Sequence, residues 1–313
     1  MSGLRGHVVV GGGTGFVGRH LCRVLRNKGY GVTVVSRRPD MNCMGWQELK
    51  VRGLPTETTA VVNLAGQNIL DFKHRWTEEF KRVVWNSRIS TTHTLAKLIE
   101  RSNSRVSSFT VMSGVGIYEP LPGMVYAEKS HVHDFDFFSR MCLELEQAGK
   151  LSGHLNCRQI AIRSGVVLGY DGGMVKNLYL PFYLGLGGPV NPGNQPLPWI
   201  HVRDLARLIC YSIENNKMNG AVNGVAPQLI TNQEFSKAFA KAMNRPSWFP
   251  VPASMLKIIL QEDRANMLLK GQKVMPNKAV SLGFQYIYPN IELACEDVIK
   301  PIPPDPFASN TIN

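Results

Sequence analysis

Three glycines near the start of the chain have the spacing of a dinucleotide-binding turn. Gly12, Gly15 and Gly18 follow an apolar run at 7–10 and open a segment whose apolar residues recur at helical spacing. Such a turn lets backbone N–H groups approach a pyrophosphate, with the positive end of the following helix behind them. Because a second strand follows at 32–35, this context favours a nucleotide site over a tight turn without a ligand.

The end of the second strand carries positive charge where many dinucleotide sites carry an acid. An Asp or Glu about 20 residues after the turn holds the ribose 2′-hydroxyl of NAD. Here the strand ends in Ser36-Arg37-Arg38, and no acid precedes Asp40. A guanidinium can bind a 2′-phosphate through two hydrogen bonds, whereas a carboxylate repels it. We therefore expect NADP(H), with Ser36 and Arg37 nearest to the phosphate; the alternative is that the arginines are solvated surface residues.

The elements that would position these residues alternate between strands and helices. This alternation predicts an α/β, Rossmann-type fold: a doubly wound parallel sheet with a smaller C-terminal, substrate-side subdomain. A single strand is expected at 158–167 and a helix led by Asp204, while the many Gly and Pro of 171–198 indicate a loop-rich lid. The expected units are an NADP-binding domain at 1–170, completed by 199–224; the lid and C-terminal subdomain at 171–198 and 225–300; and a disordered tail at 301–313.

Composition and charge narrow the class of protein. The chain of 313 residues is 44% hydrophobic and 19% charged, which is ordinary for a globular protein, and no apolar stretch approaches the length of a membrane span. The formal net charge is +12, but Lys and Arg are scattered and no basic run is interleaved with aromatic residues. We therefore expect the charge to attract an anionic cofactor or substrate, and we expect no nucleic-acid partner.

The cysteines indicate a reducing compartment. All six lie far apart, without metal-ligand spacing, so we expect free thiols and no metal site. A first strand at about residue 7 leaves no room for a signal peptide, which favours the cytoplasm. Residues 1–39 contain seven Lys or Arg and no acid, so the alternative is the mitochondrial matrix, reached through an uncleaved signal.

Taken together, these motifs resemble the extended branch of the short-chain dehydrogenase/reductase superfamily. The resemblance is closest to its "epimerase family protein" group (family 39U), which is related to nucleotide-sugar epimerases, and it covers about residues 6–299. The motifs are G-G-G-T-G-F-V-G (11–18), V-S-R-R-P (35–39), N-L-A-G-Q-N-I (63–69), R-S-G-V-V-L-G (163–169), L-G-L-G-G-P (184–189), W-I-H-V-R-D-L-A (199–206) and M-L-L-K-G-Q-K-V-M-P (267–276).

The resemblance implies a set of cofactor contacts. Arg88, in a long helix expected at 77–100, could reach a phosphate or ribose; the alternative is an ion pair on the helix surface. The other implied contacts are Gly12, Thr14, Gly15, Phe16 and Val17 on the pyrophosphate, Ser36 and Arg37 on the 2′-phosphate, Leu64, Ala65 and Gly66 on the adenosine and ribose side, and the backbone near Arg163 on the nicotinamide.

The proton-transfer residues of this superfamily are incomplete here. Its members use the Tyr of a Y-x-x-x-K pair as acid or base, with a Ser or Thr hydroxyl polarising the substrate oxygen. Ser113 matches the Ser, but Phe138 and Cys142 stand at the Tyr and Lys positions. Tyr118 is a candidate replacement acid, as is ordered water, with plain packing as the alternative role for Tyr118.

Three further residues are candidates for the substrate pocket. They are Trp76, Trp199 and His201, with helix-entry packing and a structural histidine as the alternatives.

Two functions therefore stay open. One is an NADP(H)-dependent oxidoreductase or epimerase-like enzyme acting on an unidentified small carbonyl or hydroxyl substrate. The other is a non-catalytic NADP(H)-binding sensor or assembly protein. A homodimer through helices at 77–100 and 137–150 is the expected oligomer.

Overall fold

The computed structural model of this protein describes residues 5–71, 73–102, 104–153 and 155–301. Of the predicted tail at 301–313, all but residue 301 lies outside the described residues. No helix in the described ranges combines the length and the apolar character that crossing a membrane requires.

Within these ranges, a central sheet of seven parallel strands organises the fold, in the spatial order β10-β7-β5-β4-β1-β2-β3. Two further pairs of short parallel strands, β8 with β9 and β6 with β11, lie outside it. The strands are β1 His7–Gly11, β2 Gly31–Ser36, β3 Cys43–Gly45, β4 Thr58–Asn63, β5 Ser108–Gly114, β6 Val125–Tyr126, β7 Arg158–Ser164, β8 Val166–Gly169, β9 Trp199–His201, β10 Gly220–Gly224 and β11 Lys273–Val274.

Helices cover both faces of the sheet. Along β1, Val8 and Val10 pack with α1 and α6, whereas Val9 packs with α3, which explains the uninterrupted apolar run in the sequence. The helices are α1 Phe16–Asn27, α2 Trp46–Arg52, α3 Glu78–Arg101, α4 Phe137–Ala148, α5 Gly173–Tyr183, α6 Val202–Glu214, α7 Asn232–Ala242, α8 Ala253–Leu269, α9 Asn277–Ser281 and α10 Ile291–Val298.

The strand order reverses between β1 and β4. The chain moves from β1 to β2 and β3 on one side, and then returns to build β4, β5, β7 and β10 on the other. In open parallel sheets, ligands bind in the crevice outside the carboxyl ends of the strands at this reversal. The predicted doubly wound sheet is therefore confirmed, and its reversal lies where the glycine turn leaves β1.

Two predicted elements differ from the structure in the second half of the chain. The strand predicted at 158–167 is divided, because Gly165 turns the backbone against Pro198, where a Cβ would lie 2.6 Å from the Pro198 carbonyl oxygen. β7 consequently ends at Ser164, and β8 pairs with β9 in another sheet. The lid predicted as loop contains α5, which is anchored by buried Val175 and Phe182.

The helix predicted to start at Asp204 begins two residues earlier. The His201 side chain is its N-cap, since Nδ1 accepts the Arg203 N–H at 3.1 Å. The buried Asp204 carboxylate accepts the backbone N–H groups of Ile287 and Tyr288 instead, at 2.9 and 2.8 Å. A histidine cap is not among the usual sequence signals for a helix start, so the pattern alone favoured the acid.

A second cluster of buried apolar residues joins α5, α7 and α10 outside the main sheet. Much of it comes from residues that the sequence assigns to the substrate-side subdomain. α8 is bent at Gln261, whose φ of 63° and ψ of 166° are not helical. The division of the chain at 170, 198 and 225 stays a prediction.

Candidate functional site

The glycine turn forms a cradle of backbone at the carboxyl end of β1. Gly12 has a φ of 76°, in the left-handed region that favours glycine, and a Cβ there would lie 2.8 Å from the Ala65 nitrogen. Gly18 passes so close to Gly12 that its Cβ would lie 2.4 Å from the Gly12 carbonyl oxygen. Gly15, by contrast, has an ordinary φ of −72°. Gly12 and Gly18 therefore shape the turn, and Gly15 leaves only limited room at its mouth, since a Cβ there would lie 3.1 Å from the Gly12 carbonyl oxygen.

The helix that follows this turn is suited to an anion. Gly15 is the N-cap of α1 and offers no side-chain cap, and the first turn of α1 contains no acid. The first N–H groups of Phe16 and Val17 therefore lack a capping side chain, and the positive end of the helix dipole points toward the turn. This geometry fits a dinucleotide pyrophosphate.

Polar side chains collect at the neighbouring end of β2. The Ser36 hydroxyl lies 3.3 Å from that of Thr14, and it accepts the Arg38 backbone N–H at 3.2 Å. Arg37 is exposed, and its Nη1 donates to Gln67 Oε1 at 3.1 Å. Arg37 has no carboxylate partner in the described part of the chain. Its guanidinium is therefore available to an anion.

Gln67 is a residue that the sequence reasoning missed as a site candidate. It belongs to the N-L-A-G-Q-N-I motif, but only the fold brings it to Arg37, 30 residues away. A surface cavity of about 410 Å³ adjoins it, with His74, Phe80 and Val83 among the lining residues.

The loop after β4 closes the other side of the crevice. The Leu64 N–H donates to the Gly11 carbonyl at 2.8 Å, and the Ala65 N–H donates to Asn63 Oδ1 at 3.1 Å. Gly66 faces the guanidinium of Arg88, since a Cβ on it would lie 3.0 Å from Arg88 Cζ. These residues hold the β1 and β4 loops side by side.

Arg88 has an unusual environment for an arginine. Its Nη1 donates to the Val84 carbonyl at 3.1 Å, within its own helix, and no carboxylate lies within ion-pair distance in the described ranges. Burial lowers the pKa of Arg88 to about 10, which leaves the group charged at neutral pH. The alternative of a helix-surface ion pair is therefore not what the structure shows.

Ser113 lies at the end of β5 with an unused hydroxyl. The residue is 6% exposed, and within the described residues Oγ makes no hydrogen bond of standard geometry. The group beside it is the Cys142 thiol, whose pKa burial raises to about 11. Buried polar groups are normally satisfied, so an unpaired hydroxyl at this edge of the sheet is a candidate for ligand binding.

The position of the missing tyrosine is filled by an apolar ring. Phe138 stacks on Trp76, with ring centroids 5.6 Å apart, in a cluster that also contains Phe80, Val84 and Met141. No described hydroxyl therefore replaces the superfamily's acid at this point of α4.

The structure argues against Tyr118 as the replacement acid. Tyr118 is fully buried, its hydroxyl donates to Asn223 Oδ1 at 2.8 Å, and it accepts from Arg163 Nη1 at 2.9 Å. Burial raises the pKa of Tyr118. A hydroxyl held on both sides in the core cannot reach a substrate oxygen, so this structure supports the packing alternative.

Arg163 is likewise occupied through its side chain. Its guanidinium binds Glu146 of α4 through two hydrogen bonds, at 2.9 and 2.8 Å, and the residue is 5% exposed. A cofactor contact at this position is left to the backbone, which is how the resemblance implies it.

The side chains of the three candidate pocket residues are also engaged by other groups of the protein. Trp199 is fully buried, and its Nε1 donates to the Gln228 carbonyl at 3.2 Å. His201 caps α6, and its Nε2 lies 3.1 Å from Asp297 Oδ2. Trp76 Nε1 donates to Asp263 at 2.9 Å, and its ring lies 4.7 Å from the Arg264 guanidinium. The structure thus does not place these side chains on an open pocket, and it supports the structural alternatives.

Comparison with known proteins identifies the family. A family model described as "NAD dependent epimerase/dehydratase family" matches residues 8–223, and one described as a domain of unknown function (DUF1731) matches residues 251–298. The chain belongs to the NAD dependent epimerase/dehydratase family. The first match spans the sheet and both sides of the crevice.

Individual relatives extend this likeness over nearly the whole chain. "Epimerase family protein SDR39U1" of Mus musculus is 44% identical over 293 residues, which is 93% of this chain and 99% of that protein. "Epimerase family protein YfhF" of Bacillus subtilis is 33% identical over 303 residues, covering 94% of this chain and 98% of that protein. The resemblance drawn from the motifs is therefore confirmed.

Solved structures agree with the fold. The crystal structure of human epimerase family protein SDR39U1 (isoform 2) with NADPH has a TM-score of 0.91 and 42% identity, and covers 93% of this chain and 98% of that one. Thermus thermophilus UDP-glucose 4-epimerase in complex with NAD has a TM-score of 0.73 and 17% identity, covering 94% and 97%, which shows a shared fold only.

Proposed function

We propose that this chain binds NADP(H) and uses it as an oxidoreductase or epimerase-like enzyme on a small carbonyl or hydroxyl substrate. The observation that carries the proposal is the crevice itself. In the described part of the chain, a backbone cradle at Gly12–Gly15, an exposed Arg37 guanidinium without a carboxylate partner and an unpaired hydroxyl at Ser113 lie along one edge of one sheet. The human relative solved with NADPH supports the choice of cofactor.

Each part of the crevice has a role in this proposal. The N–H groups of Phe16 and Val17 hold the pyrophosphate, with Gly12, Thr14 and Gly15 beside them, and the Gly15 N–H closes the turn on the Gly12 carbonyl at 2.9 Å. Ser36 and Arg37 bind the 2′-phosphate, and Leu64, Ala65 and Gly66 line the adenosine and ribose side. When bound, the dinucleotide supplies or accepts the hydride. Ser113 donates a hydrogen bond to the substrate oxygen. The two candidate proton donors were Tyr118 and ordered water. Because the Tyr118 hydroxyl is bound to Asn223 and Arg163, water is the proton donor in this proposal.

Two glycine variants test the cradle. In Gly15→Ala the new Cβ would lie 3.1 Å from the Gly12 carbonyl oxygen, a tight contact that a small shift relieves, and it occupies the mouth of the turn. We therefore expect NADPH affinity to fall at least tenfold, about 1.4 kcal/mol, with a smaller loss of melting temperature than in Gly18→Ala. In Gly18→Ala the methyl group meets the Gly12 carbonyl, so we expect the melting temperature itself to fall. Calorimetric titration and thermal unfolding separate the two effects. Full NADPH affinity in Gly15→Ala contradicts the proposed pyrophosphate site.

Ser113→Ala tests the chemistry. Removing a donor to the reacting oxygen costs roughly 100-fold to 1,000-fold in kcat, measured as NADPH oxidation against a panel of carbonyl compounds. Ser108→Ala is the matched control, because Ser108 also has a buried, unpaired hydroxyl but lies at the other end of β5. Both variants should keep the wild-type melting temperature, and equal activity in both contradicts the role of Ser113.

A non-catalytic sensor or assembly protein is the second candidate function. It is favoured by Phe138, which occupies the position of the catalytic tyrosine with a ring that carries no proton to transfer. If NADPH raises the melting temperature but no carbonyl compound is reduced, this second function is the correct one.

We also propose an oligomeric state and a cellular compartment for this protein. We expect a homodimer through α3 and α4, which sedimentation of the purified protein would show as twice the mass of the chain. We expect the cytoplasm, with the mitochondrial matrix as the alternative, and fractionation of cells distinguishes the two.

A further inference from the structure

Arg88 places an uncompensated positive charge at the crevice. Its guanidinium lies against Gly66, and no carboxylate in the described chain pairs with it. Arg88 is half-buried, and holding such a charge without a carboxylate partner costs free energy, so a protein that keeps one has a use for it.

The groups around this guanidinium are neutral. The Cys142 thiol is close enough to feel the charge of Arg88 and is protonated at neutral pH. Ser113, beside the same thiol, carries no charge. The nearby acid on α4, Glu146, is neutralised by its two hydrogen bonds with Arg163. The positive charge of Arg88 therefore interacts electrostatically with a ligand bound in the crevice.

The strand order determines which half of the cofactor lies there, and this step rests on the proposed function. The 2′-phosphate end is on the β2 side, at Ser36 and Arg37, and the pyrophosphate is at the end of β1. The nicotinamide half must then extend to the opposite side, over β4 and β5. The Arg88 guanidinium extends from Gly66, on the ribose side, toward the Cys142 thiol, which lies beside Ser113 and Gly114 at the end of β5, so Arg88 reaches toward this half.

We propose that Arg88 makes this protein bind NADPH in preference to NADP⁺, so that its occupancy follows the reduction state of the NADP pool. The two forms share every phosphate, both riboses and the adenine, and contacts to these parts cancel in the ratio of their affinities. They differ in the nicotinamide ring, which is neutral in NADPH and positive in NADP⁺. A fixed guanidinium repels only the oxidised ring, and at separations of several ångströms inside a protein this is worth on the order of tenfold in affinity.

The test measures binding alone. Dissociation constants for NADPH and for NADP⁺ are determined by calorimetry on the full chain, as wild type, Arg88→Gln and Arg88→Lys. We expect the wild type to bind NADPH roughly tenfold more tightly, Arg88→Lys to keep most of this ratio, and Arg88→Gln to bring it close to one. Arg37→Gln is the matched control, because loss of a 2′-phosphate contact weakens both forms equally and leaves the ratio unchanged.

A second variant neutralises the charge of Arg88 without changing Arg88 itself. Cys142→Asp adds a carboxylate next to Arg88 and should also bring the ratio close to one, which keeps the test decisive if Arg88→Gln does not fold. A wild type that prefers NADP⁺, or a ratio unchanged in Arg88→Gln or in a folded Cys142→Asp, overturns the proposal while leaving cofactor binding intact. A wild type that binds neither form overturns the proposed function itself.

Discussion

Replacing Arg37 by Asp is expected to lower the preference for NADPH over NADH by about a hundredfold, or nearly 3 kcal/mol. The guanidinium is exposed at the end of β2 and is held toward the crevice by Gln67. A hydrogen bond between charged groups is lost, the new carboxylate repels the 2′-phosphate, and the same carboxylate can accept the 2′-hydroxyl of NADH. Calorimetric titration with both dinucleotides gives the ratio directly.

Arg38→Asp is the control for this experiment. It makes the same change in net charge one residue away, at a position whose backbone N–H, and not its side chain, binds Ser36. We expect it to change the ratio much less. If Arg37→Asp leaves the ratio of NADPH to NADH affinity unchanged, the 2′-phosphate is recognised elsewhere in the crevice. The residues after the second strand then do not select NADPH.

Replacing Glu146 by Ala should lower the free energy of unfolding by about 3–5 kcal/mol. The Glu146 and Arg163 side chains are 18% and 6% exposed, so the variant leaves a guanidinium buried without its carboxylate. The same guanidinium donates to the Tyr118 hydroxyl, which makes this pair the centre of a network between α4, β7 and β10. Denaturant unfolding measures the loss.

Two comparison variants test whether burial of the ion pair causes the loss of stability in Glu146→Ala. Asp134→Ala removes the exposed partner of Arg140 near the same helix, and we expect no measurable change from it. The double variant Glu146→Leu with Arg163→Met replaces both charges by apolar groups and should recover most of the stability. If Glu146→Ala is as stable as the wild type, the pair does not hold this part of the core together.

Several features of the site follow from residues that are close in the sequence. The turn from β1 into α1 needs glycine for local reasons, because Gly12 has a positive φ and a Cβ on Gly18 would meet the Gly12 carbonyl. The spacing in the sequence therefore predicts the turn. Ser36 and Arg37 follow the second strand directly, so their place at the crevice follows from the parallel sheet. The absence of the tyrosine is also visible in the sequence, because Phe138 and Cys142 occupy the expected spacing in a helix that the structure confirms.

Other features depend on residues that are far apart in the sequence and could not be predicted. Tyr118 looked available beside Ser113, but its partners are Arg163, 45 residues away, and Asn223, 105 residues away. His201 looked like a pocket residue until the fold placed it at the start of α6, against Asp297. Whether a polar side chain is free or engaged depends on which strands and helices meet around it.

The sequence by itself determined the doubly wound sheet, the glycine cradle, the arginine that follows β2 and the missing acid, because each rests on periodicity or on short spacing. Only the tertiary structure decided which polar groups stay unpaired. Among the described residues it gave Tyr118 and Arg163 distant hydrogen-bond partners, whereas the Ser113 hydroxyl has none and Arg88 donates only within its own helix. The physical reason is that hydrogen bonding and charge pairing are settled between elements, after local preferences have already built the strands and helices.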